Sequence, residues 1–466
     1  METLRTSSYI IPVKLESEEG KYMLIHGYTG AVDIVTEDLL TKINQISSSN
    51  SFSDEMLQNL LKRGYITAKT QDEENALVLK MIKAVHLYHK QGYKKFYILV
   101  NYDCNFRCPY CFENMISNKG QNWSHKIMTK EVVDAAFDSM MEIESNKEKH
   151  NKQIVLYGGE PLMESNLDIV KYIIHKGNSL GYSFSAITNG FDLDLYSDVL
   201  AENKIQEIQI TLDGDSDFHN KRRFHYKKGG SFEKIMNNIQ LALDKNIRVI
   251  VRSNIDSLNV ESVQKLTSKF KKTGWITNPK FRFYPAMLKN NPNNILNTKH
   301  SKIISYVQST DFESINDEFK NNIGAYSDLI FSALKNKKPL PLRPTFCGAQ
   351  NGIYIFDPLY KIYCCLESVG IPQNIIGTYD QGVKWTDNFS LWKDRNTSTI
   401  LPCNKCPYAL MCGGGCAAKV MHINMRAPYC NKFPEILRAN ARRAYNQFIN
   451  NYIAVRRKFF KTVVIN

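Results

Sequence analysis

The 466-residue sequence lacks an uninterrupted apolar run of the length that a helix needs to cross a bilayer. Its first residues also lack the basic and then apolar order of a secretory signal peptide. These two absences favour a cytoplasmic protein with no membrane partner. In that compartment the eleven cysteines are kept reduced, so clustered cysteines indicate metal binding or catalysis rather than disulfides.

Acidic residues are in short supply. The sequence has 46 Asp and Glu residues but 60 Lys and Arg residues, which gives a net charge of +14 and a pI near 9.1. The basic excess is concentrated at 221–228 and 438–461. A charge run is usually a solvated face, and an acidic partner is the functional alternative. Because no nucleic-acid-binding module accompanies the charge, we expect no nucleic-acid partner and favour an acidic peptide segment.

Three cysteines, Cys104, Cys108 and Cys111, stand at a Cys-x3-Cys-x2-Cys spacing directly after the apolar run 96–100. The apolar run predicts a buried strand. Three thiolates on one loop can hold three irons of a 4Fe–4S cluster and leave the fourth iron open for a ligand. A zinc knuckle is the alternative, but its ligands come more often as Cys-x2-Cys with a second pair nearby, and no such pair lies close by.

The three-cysteine loop, with Tyr110 just before its last cysteine, resembles the motif of the radical SAM enzymes. The resemblance implies that Cys104, Cys108 and Cys111 are catalytic residues holding a 4Fe–4S cluster. Its open iron would bind S-adenosylmethionine. The family is built as a partial (β/α)6 barrel, which we expect over residues 94–288.

The periodicity after residue 95 agrees with that expectation, because short apolar strands alternate with amphipathic helices. The predicted strands are 96–100, 153–157, 183–188, 207–212, 248–254 and 280–284. The predicted helices are 130–144, 166–180, 193–202, 231–245 and 260–272. A helix between each pair of strands implies a parallel sheet, so the fold class is α/β. Chemistry in such folds gathers at the carboxyl ends of the strands.

Residues near those strand ends resemble the family's contacts to S-adenosylmethionine. They are Tyr110, Gly158, Gly159, Glu160, Pro161, Thr188, Asn189, Thr211, Arg223 and Arg252. Glu160 belongs to a Gly-Gly-Glu-Pro motif that holds the amino group, and its two glycines let the backbone approach a ligand closely. The position of Thr211 often meets the ribose. Arg223 is expected to bind the methionine carboxylate, with Arg252 as the alternative.

The remaining eight cysteines lie between residues 347 and 430, with the glycines 413–415 among them. Structural zinc is the simple interpretation. The spacing resembles the SPASM extension, which carries two auxiliary 4Fe–4S clusters. The resemblance implies one cluster on Cys403, Cys406, Cys412 and Cys430. It implies another on Cys347, Cys365 and Cys416, with Cys364 as the spare thiol and an open iron as the alternative.

Two details of this extension are specific to the chain. We expect the glycines 413–415 to pass close to a bulky inorganic core. Tyr360 stands where the family has a glycine, which predicts an altered turn before Cys364 and Cys365.

The ends of the chain give weaker signals. Residues 1–88 predict strands at 9–15, 21–26 and 64–67 and helices at 37–46 and 54–63. They resemble a winged-helix peptide-recognition domain, and a docking extension is the alternative. The further expected parts are a bridging region at 289–345 with helices near 300–308 and 323–335, a SPASM domain at 346–435, and a basic helix at 436–466.

Together the resemblances imply a radical SAM oxidoreductase that acts on a peptide. A 5′-deoxyadenosyl radical would abstract hydrogen from a ribosomally made precursor peptide. We expect a thioether from a Cys sulfur to a carbon, as in sactipeptide-type bacteriocin maturation. Carbon–carbon crosslinking is one alternative, and oxidation of Cys or Ser to formylglycine by an anaerobic sulfatase maturase is another. The expected partners are that peptide, its leader bound by the first domain, and an electron donor such as flavodoxin or ferredoxin.

Two departures from the sulfatase maturases favour the peptide maturase. Leu366 occupies the place of their catalytic Asp, with Glu367 one residue later. Residues 1–88 also precede the barrel, whereas the barrel of those enzymes begins almost at the N-terminus.

Overall fold

A computed structural model describes residues 4–47, 52–111, 126–202, 204–288, 325–430 and 432–463 of the chain. The predicted helix at 300–308 and most of the bridging region lie outside the described residues. All eleven cysteines and all ten expected S-adenosylmethionine contacts lie within them.

The described residues form a mixed α/β fold, as the sequence predicts. The strands are β1 (Arg5–Thr6), β2 (Ile10–Lys14), β3 (Lys21–His26), β4 (Val32–Thr36), β5 (Ile66–Thr67), β6 (Lys95–Leu99), β7 (Gln153–Tyr157), β8 (Ser183–Thr188), β9 (Ile205–Thr211), β10 (Arg248–Ile255), β11 (Phe281–Met287), β12 (Ile353–Phe356), β13 (Lys361–Tyr363), β14 (Gly377–Thr378) and β15 (Lys384–Trp385). The helices are α1 (Glu37–Asn44), α2 (Asp54–Arg63), α3 (Gln71–Lys90), α4 (Lys130–Ile143), α5 (Leu167–Ser179), α6 (Ser197–Ala201), α7 (Ser216–Arg222), α8 (Phe232–Asp244), α9 (Val260–Lys272), α10 (Ala325–Asn336), α11 (Asn388–Lys393), α12 (Ala409–Cys412) and α13 (Phe433–Val463). Among these helices none is both long and apolar enough to cross a membrane.

The chain divides into two compact units. The first consists of Met1–Gly92, Asp317–Asn351 and Ser390–Asn466, and the second of Tyr93–Asn316 and Gly352–Phe389. The finer division into recognition, barrel, bridging and SPASM domains remains a prediction.

The first unit holds the three-stranded antiparallel sheet β2–β3–β4. Along β2 the side chains of Ile11 and Val13 are buried and their neighbours are not, because successive side chains of a strand point to opposite faces. The buried face shares a hydrophobic cluster with residues of α10 and α13, among them Ile330 and Leu437. This cluster joins the N-terminal and C-terminal parts of the sequence in one core.

The predicted elements of residues 1–88 are confirmed, but three others, β1, β4 and α3, are present as well. Ser53 caps α2, since its hydroxyl accepts a 3.3 Å hydrogen bond from the amide of Met56. The short strands β1 and β4 and the long helix α3 were not predicted. The start of helix α3 could have been predicted from the sequence, because Thr70 and Glu73 form a reciprocal capping box.

The second unit is built on a ten-stranded sheet with the order β11–β10–β9–β8–β7–β6–β12–β13–β14–β15. The six strands β6 to β11 are parallel neighbours, as predicted, and the bounds of β7 and β8 agree with the prediction residue for residue. The predicted helix at 193–202 is instead a 3-10 turn, Leu193–Tyr196, followed by the short helix α6. Strand β12 adds in parallel to β6, which no local pattern predicted.

The parallel strands place the expected chemistry at one edge of the sheet, because their carboxyl ends point the same way. The cysteine loop follows β6, and the Gly-Gly-Glu-Pro segment follows β7. Thr188 ends β8 and Thr211 ends β9. Thr211 pairs in register with Arg252 of β10.

Candidate active site and cysteine centres

The cysteine loop begins where β6 ends. Cys108 is buried, Cys104 and Cys111 are half-buried, and none of the three forms a disulfide. The amide of Phe106 donates a 3.4 Å hydrogen bond to the sulfur of Cys104. Such a donor stabilises negative charge on that sulfur.

Burial raises the pKa of the Cys104 thiol well above its ordinary value. The sulfurs of Cys108 and Cys111 and the Glu160 carboxylate raise this pKa further, because they repel a second negative charge. The three thiols are therefore close enough to act on one another. Thiolates in such a loop need a compensating cation, which bound iron supplies.

No group of three His, Cys, Asp or Glu side chains within the described ranges is arranged to hold a single metal ion. The cysteine loop is expected to hold a cluster of several irons. The ligands of such a cluster lie farther apart than those of a single metal ion.

The Gly-Gly-Glu-Pro segment is hydrogen-bonded to the start of the cysteine loop. The amide of Gly159 donates to the carbonyl of Asn101 at 3.1 Å, and the amide of Glu160 donates to the carbonyl of Asp103 at 2.8 Å. A Cβ on Gly159 would lie 2.2 Å from that Asp103 oxygen. The glycine thus allows a close approach to backbone of this same chain, where the sequence predicted a close approach to a ligand.

Glu160 is almost completely buried, at 1% exposure. Burial raises the pKa of its carboxyl to about 7, although three hydrogen bonds lower it. Its carboxylate accepts from the Thr188 hydroxyl, from the Asn189 amide and, at 2.9 Å, from the Leu162 amide. The structure therefore gathers Thr188 and Asn189 around Glu160.

Two asparagines complete this region. The amide of the Asn166 side chain donates to the carbonyl of Pro161 at 3.1 Å and to that of Glu160 at 3.0 Å. The side-chain amide of Asn189 donates to Asn105 at 2.7 Å, and Asn105 lies directly after Cys104. These contacts join the ends of β7 and β8 to the cysteine loop.

Tyr110 is the centre of a second polar network. Its hydroxyl donates to the Asp213 carboxylate and accepts from Arg223 at 2.6 Å and from Asn254 at 3.1 Å. The Arg222 guanidinium lies over the Tyr110 ring, 4.8 Å from its centroid. The sequence implied roles for Tyr110 and Arg223, but it did not assign Asp213, Arg222 or Asn254 to the site.

The sequence could have indicated Asp213 as a site residue, because it directly follows the apolar end of a predicted strand. The structure shows that it is completely buried. Arg222 forms an ion pair with Asp256 at 2.5 Å and lies 3.8 Å from Asp213. Buried carboxylates persist only with such partners. The network therefore keeps a fixed set of charges beside Cys108.

Three buried arginine nitrogens have no partner among the described residues: Nη1 of Arg222, Nε of Arg223 and Nε of Arg252. A buried N–H without an acceptor is costly, and a bound carboxylate would satisfy it. The Nε atoms of Arg223 and Arg252, the two candidates for the carboxylate contact, are thus both available to a ligand.

The first unit contains a separate group of thiols. Cys403 and Cys406 are buried and half-buried, Cys412 is half-buried and Cys430 is exposed. Burial raises the pKa of Cys403 to about 12 and that of Cys412 to about 11. The sulfurs of Cys406, Cys412 and Cys430 also raise the pKa of Cys403, and those of Cys430 and Cys406 raise the pKa of Cys412. The four thiols predicted to share a cluster are therefore neighbours.

A buried cation stands among these thiols. Arg395 is 2% exposed, and its guanidinium donates to the carbonyls of Gly414, Gly415, Met425 and Ala427 at 2.8–3.2 Å. Burial lowers the pKa of Arg395, and the sulfurs of Cys403, Cys416, Cys347 and Cys412 oppose that shift. Sequence reasoning missed Arg395, because nothing nearby in the chain marks it as the partner of distant cysteines.

The glycines 413–415 are closely surrounded by other parts of the first unit. A Cβ on Gly415 would lie 1.9 Å from the carbonyl oxygen of Tyr429, and the amide of Tyr429 donates to Gly414 at 3.0 Å. These glycines let the segment that carries Cys430 lie against the segment that carries Cys412. The expectation that these glycines also pass close to an inorganic core remains a prediction.

In the second unit, Cys364 is buried and Cys365 is half-buried directly after β13. Tyr360 has a φ of +58°, the left-handed conformation that glycine adopts easily. Tyr360 therefore adopts a conformation that is uncommon for a residue with a side chain, and the altered turn remains a prediction. The grouping of Cys347, Cys364, Cys365 and Cys416 as one ligand set remains a prediction.

The second unit is thus an α/β fold with a three-cysteine loop at the carboxyl edge of its parallel strands, an arrangement suited to hold an iron–sulfur cluster. Residues 98–268 match the Radical SAM superfamily model. The chain therefore carries a radical SAM domain, as its cysteine motif predicted.

Two curated relatives match different parts of the chain. The cysteine-type anaerobic sulfatase-maturating enzyme of Clostridium novyi is 27% identical over 177 residues, which are 36% of this chain and 46% of that protein. The chain thus spans about half of that relative's length. The radical SAM cyclopropyl synthase TigE of Paramaledivibacter caminithermalis is 20% identical over 448 residues, 90% of each protein.

Solved structures share the fold. Native anSMEcpe with bound AdoMet matches with a TM-score of 0.57 and 19% identity, covering 76% of this chain and 98% of that one. Streptococcus suis SuiB bound to precursor peptide SuiA matches with a TM-score of 0.50 and 14% identity, covering 91% and 98%. At these identities the likeness concerns the fold.

The residues fit the cofactors of a radical SAM domain, which are a 4Fe–4S cluster and S-adenosylmethionine. The three thiols of Cys104, Cys108 and Cys111, one buried and two half-buried, suit iron. The free Nε donors of Arg223 and Arg252 suit an anionic group such as the methionine carboxylate.

Proposed function

We propose that the chain is a radical SAM peptide maturase that installs a crosslink, a Cys-sulfur-to-carbon thioether, in a ribosomally made precursor peptide. The observation that carries this proposal is the second group of thiols around Cys403. The amide of Cys406 donates to the carbonyl of Cys403 at 3.1 Å, and the amide of Tyr429, next to Cys430, donates to the carbonyl of Gly414, close to Cys412, at 3.0 Å. Cleavage of S-adenosylmethionine needs only the first cysteine loop. A further cluster site suits a reaction in which a substrate radical must lose another electron to become a closed-shell product.

The relatives support this proposal at the level of the whole chain. TigE aligns over 90% of its length, beyond the radical SAM domain into the cysteine-rich end. SuiB, which shares the fold, was solved with a precursor peptide. We propose by the same argument that residues 1–88 bind a leader segment and that residues 346–435 form a SPASM domain with two auxiliary 4Fe–4S clusters.

When bound, the cluster and S-adenosylmethionine supply the 5′-deoxyadenosyl radical that removes hydrogen from a peptide carbon. The chain's own residues orient the partners. Glu160, anionic above its pKa of about 7, attracts the ammonium group, and Arg223 or Arg252 donates to the carboxylate. Tyr110 holds Arg223 in place. Positioning of this kind accounts for much of the protein's part in radical chemistry.

Conversion of a sulfatase Cys to formylglycine is a second candidate, favoured by the 27% identity to the Clostridium novyi enzyme. The two activities give different products. A thioether consumes the thiol and forms a ring within the peptide, whereas formylglycine is an aldehyde that reacts with hydrazides.

The experiment that tests the proposal starts with anaerobically reconstituted protein, dithionite and S-adenosylmethionine. We expect 5′-deoxyadenosine by mass spectrometry, and none from the Cys104→Ala variant. Co-expression with a Cys-containing peptide encoded beside the chain should remove two hydrogens per bridge and protect the Cys from alkylation. A peptide that stays alkylatable contradicts the thioether, and absence of 5′-deoxyadenosine contradicts the radical SAM activity.

A further inference from the structure

The segment 224–230 lies directly against the cysteine loop. The amide of Tyr226 donates to the carbonyl of Asn105 at 3.0 Å, and the amide of Arg107 donates to the carbonyl of Phe224 at 3.3 Å. Asn105 and Arg107 both lie between Cys104 and Cys108. The segment and the iron-binding loop therefore share one short antiparallel ladder.

The segment is well ordered by its own contacts. His225 and Gly229 exchange two backbone hydrogen bonds of 2.9 Å, which close a tight hairpin. The ring of buried His225 packs on Phe191 at 4.7 Å and stacks on Tyr226 at 5.4 Å. Its Nδ1 accepts hydrogen bonds from the amides of Lys227 and Lys228.

The outer face of the hairpin is cationic and aromatic. Arg107, Tyr226, Lys227 and Lys228 are exposed, and Tyr226 retains 48% of its accessible surface. The Arg107 guanidinium and the Lys227 ammonium lie 4.7 Å and 5.3 Å from the centroid of the Tyr226 ring. Lys228 lies 5.6 Å from the ring of Phe191. Throughout the described residues these cations contact aromatic rings, and no carboxylate is paired with them.

We propose that this hairpin surface, Arg107 with 224–228, is the docking site of an acidic electron-donor protein. The proposal rests on the proposed function, because a radical SAM reaction begins with one electron delivered to the cluster. The reduced donor loses that electron and the cluster held by Cys104, Cys108 and Cys111 gains it. A donor seated on the hairpin stands against the backbone that carries two of these ligands.

Charge and position select this occupant. Opposite charges on two surfaces steer association and set orientation, so this cationic surface favours a donor with an acidic face. An aromatic ring flanked by cations is a composition typical of protein interfaces. An acidic segment of the precursor peptide is the competing occupant, and it is separated by the test.

The test uses the reconstituted full-length protein with flavodoxin as the probe, and the variant Lys227→Glu/Lys228→Glu. The matched control is Lys337→Glu/Lys338→Glu, which reverses two exposed charges in the first unit. Binding of oxidised flavodoxin is measured by interferometry at several salt concentrations. We expect the hairpin variant to bind roughly tenfold or more weakly and with less salt dependence, and the control to match the wild type.

The second readout is 5′-deoxyadenosine formed with NADPH, flavodoxin reductase and flavodoxin, compared with dithionite. The hairpin variant should lose flavodoxin-driven turnover and keep dithionite-driven turnover. Unchanged flavodoxin binding and turnover overturn the docking proposal, and so does a loss confined to precursor-peptide binding. A wild type inactive with dithionite overturns the proposed function instead, so the two failures are distinguishable.

Discussion

Arg223 donates a 2.6 Å hydrogen bond from its Nη1 atom to the hydroxyl of Tyr110. Tyr110 lies in the cysteine loop and Arg223 follows α7, more than one hundred residues later in the chain. This bond leaves the Nε atom of Arg223 without a partner among the described residues. The tyrosine thus positions a buried cation whose remaining donor is available to a ligand.

Replacing Tyr110 by Phe should loosen that cation. The hydroxyl contacts Asp213, Arg223 and Asn254, and its loss leaves buried polar groups unsatisfied, at about 1–3 kcal/mol of unfolding free energy. We expect lower stability in urea and weaker binding of S-adenosylmethionine by calorimetry. Tyr93 is 73% exposed, so Tyr93→Phe is the control and should change neither the stability in urea nor the binding of S-adenosylmethionine. Equal affinity in Tyr110→Phe and the wild type would refute the positioning role.

Gly159→Ala should disturb the first cluster site. The added Cβ would lie 2.2 Å from the carbonyl oxygen of Asp103, and backbone cannot move aside without shifting Cys104. After anaerobic reconstitution we expect less iron per chain and no formation of 5′-deoxyadenosine. Gly181→Ala is the control, since no atom lies within 4 Å of its Cβ position and its φ of +78° costs about 1–2 kcal/mol of strain alone. Full iron content in Gly159→Ala would contradict the prediction.

Asp357 should make stability depend on pH. It is completely buried, accepts 2.6 Å, 2.9 Å and 2.7 Å hydrogen bonds from Tyr102, Leu359 and Lys361, and burial raises its pKa to about 6. Because the folded state then holds the proton more tightly than the unfolded state, stability falls as pH rises from about 4 to about 6, by about 3 kcal/mol.

Asp357→Asn lacks this titration and can still accept from both backbone amides. The difference in urea unfolding free energy between variant and wild type should therefore move in favour of the variant as pH rises through this window. Other groups titrate in both proteins and cancel in the difference. A difference that stays constant with pH would show that burial does not shift this carboxyl.

Arg395→Gln should weaken the second group of thiols. The buried guanidinium satisfies four backbone carbonyls, so its loss should cost about 3 kcal/mol or more. We expect a lower urea midpoint and less iron per chain. Arg395→Lys keeps the charge without the planar fork and should be intermediate. Arg426→Gln, at an exposed neighbour, should behave as the wild type.

Much of the second unit could be predicted from the sequence. The strands Gln153–Tyr157 and Ser183–Thr188 match because strands of a parallel sheet are covered on both faces, so their apolar runs are visible without tertiary information. The cysteine spacings could be interpreted for a similar reason, since several ligands of one centre lie on one short loop. In the first unit, β4 was missed because five residues with an internal Asp give little periodic signal.

Local chemistry is therefore what the sequence by itself determined: the three-cysteine loop, the alternation of strands and helices, and the glycines that permit close approach. Only the tertiary structure decided which partners meet. It paired Tyr102 with Asp357, seated Arg395 among thiols up to forty-eight residues away in the chain, and laid the Tyr226 hairpin on the cysteine loop. Such contacts depend on how distant elements pack, and packing leaves no periodic mark near the residues that it brings together.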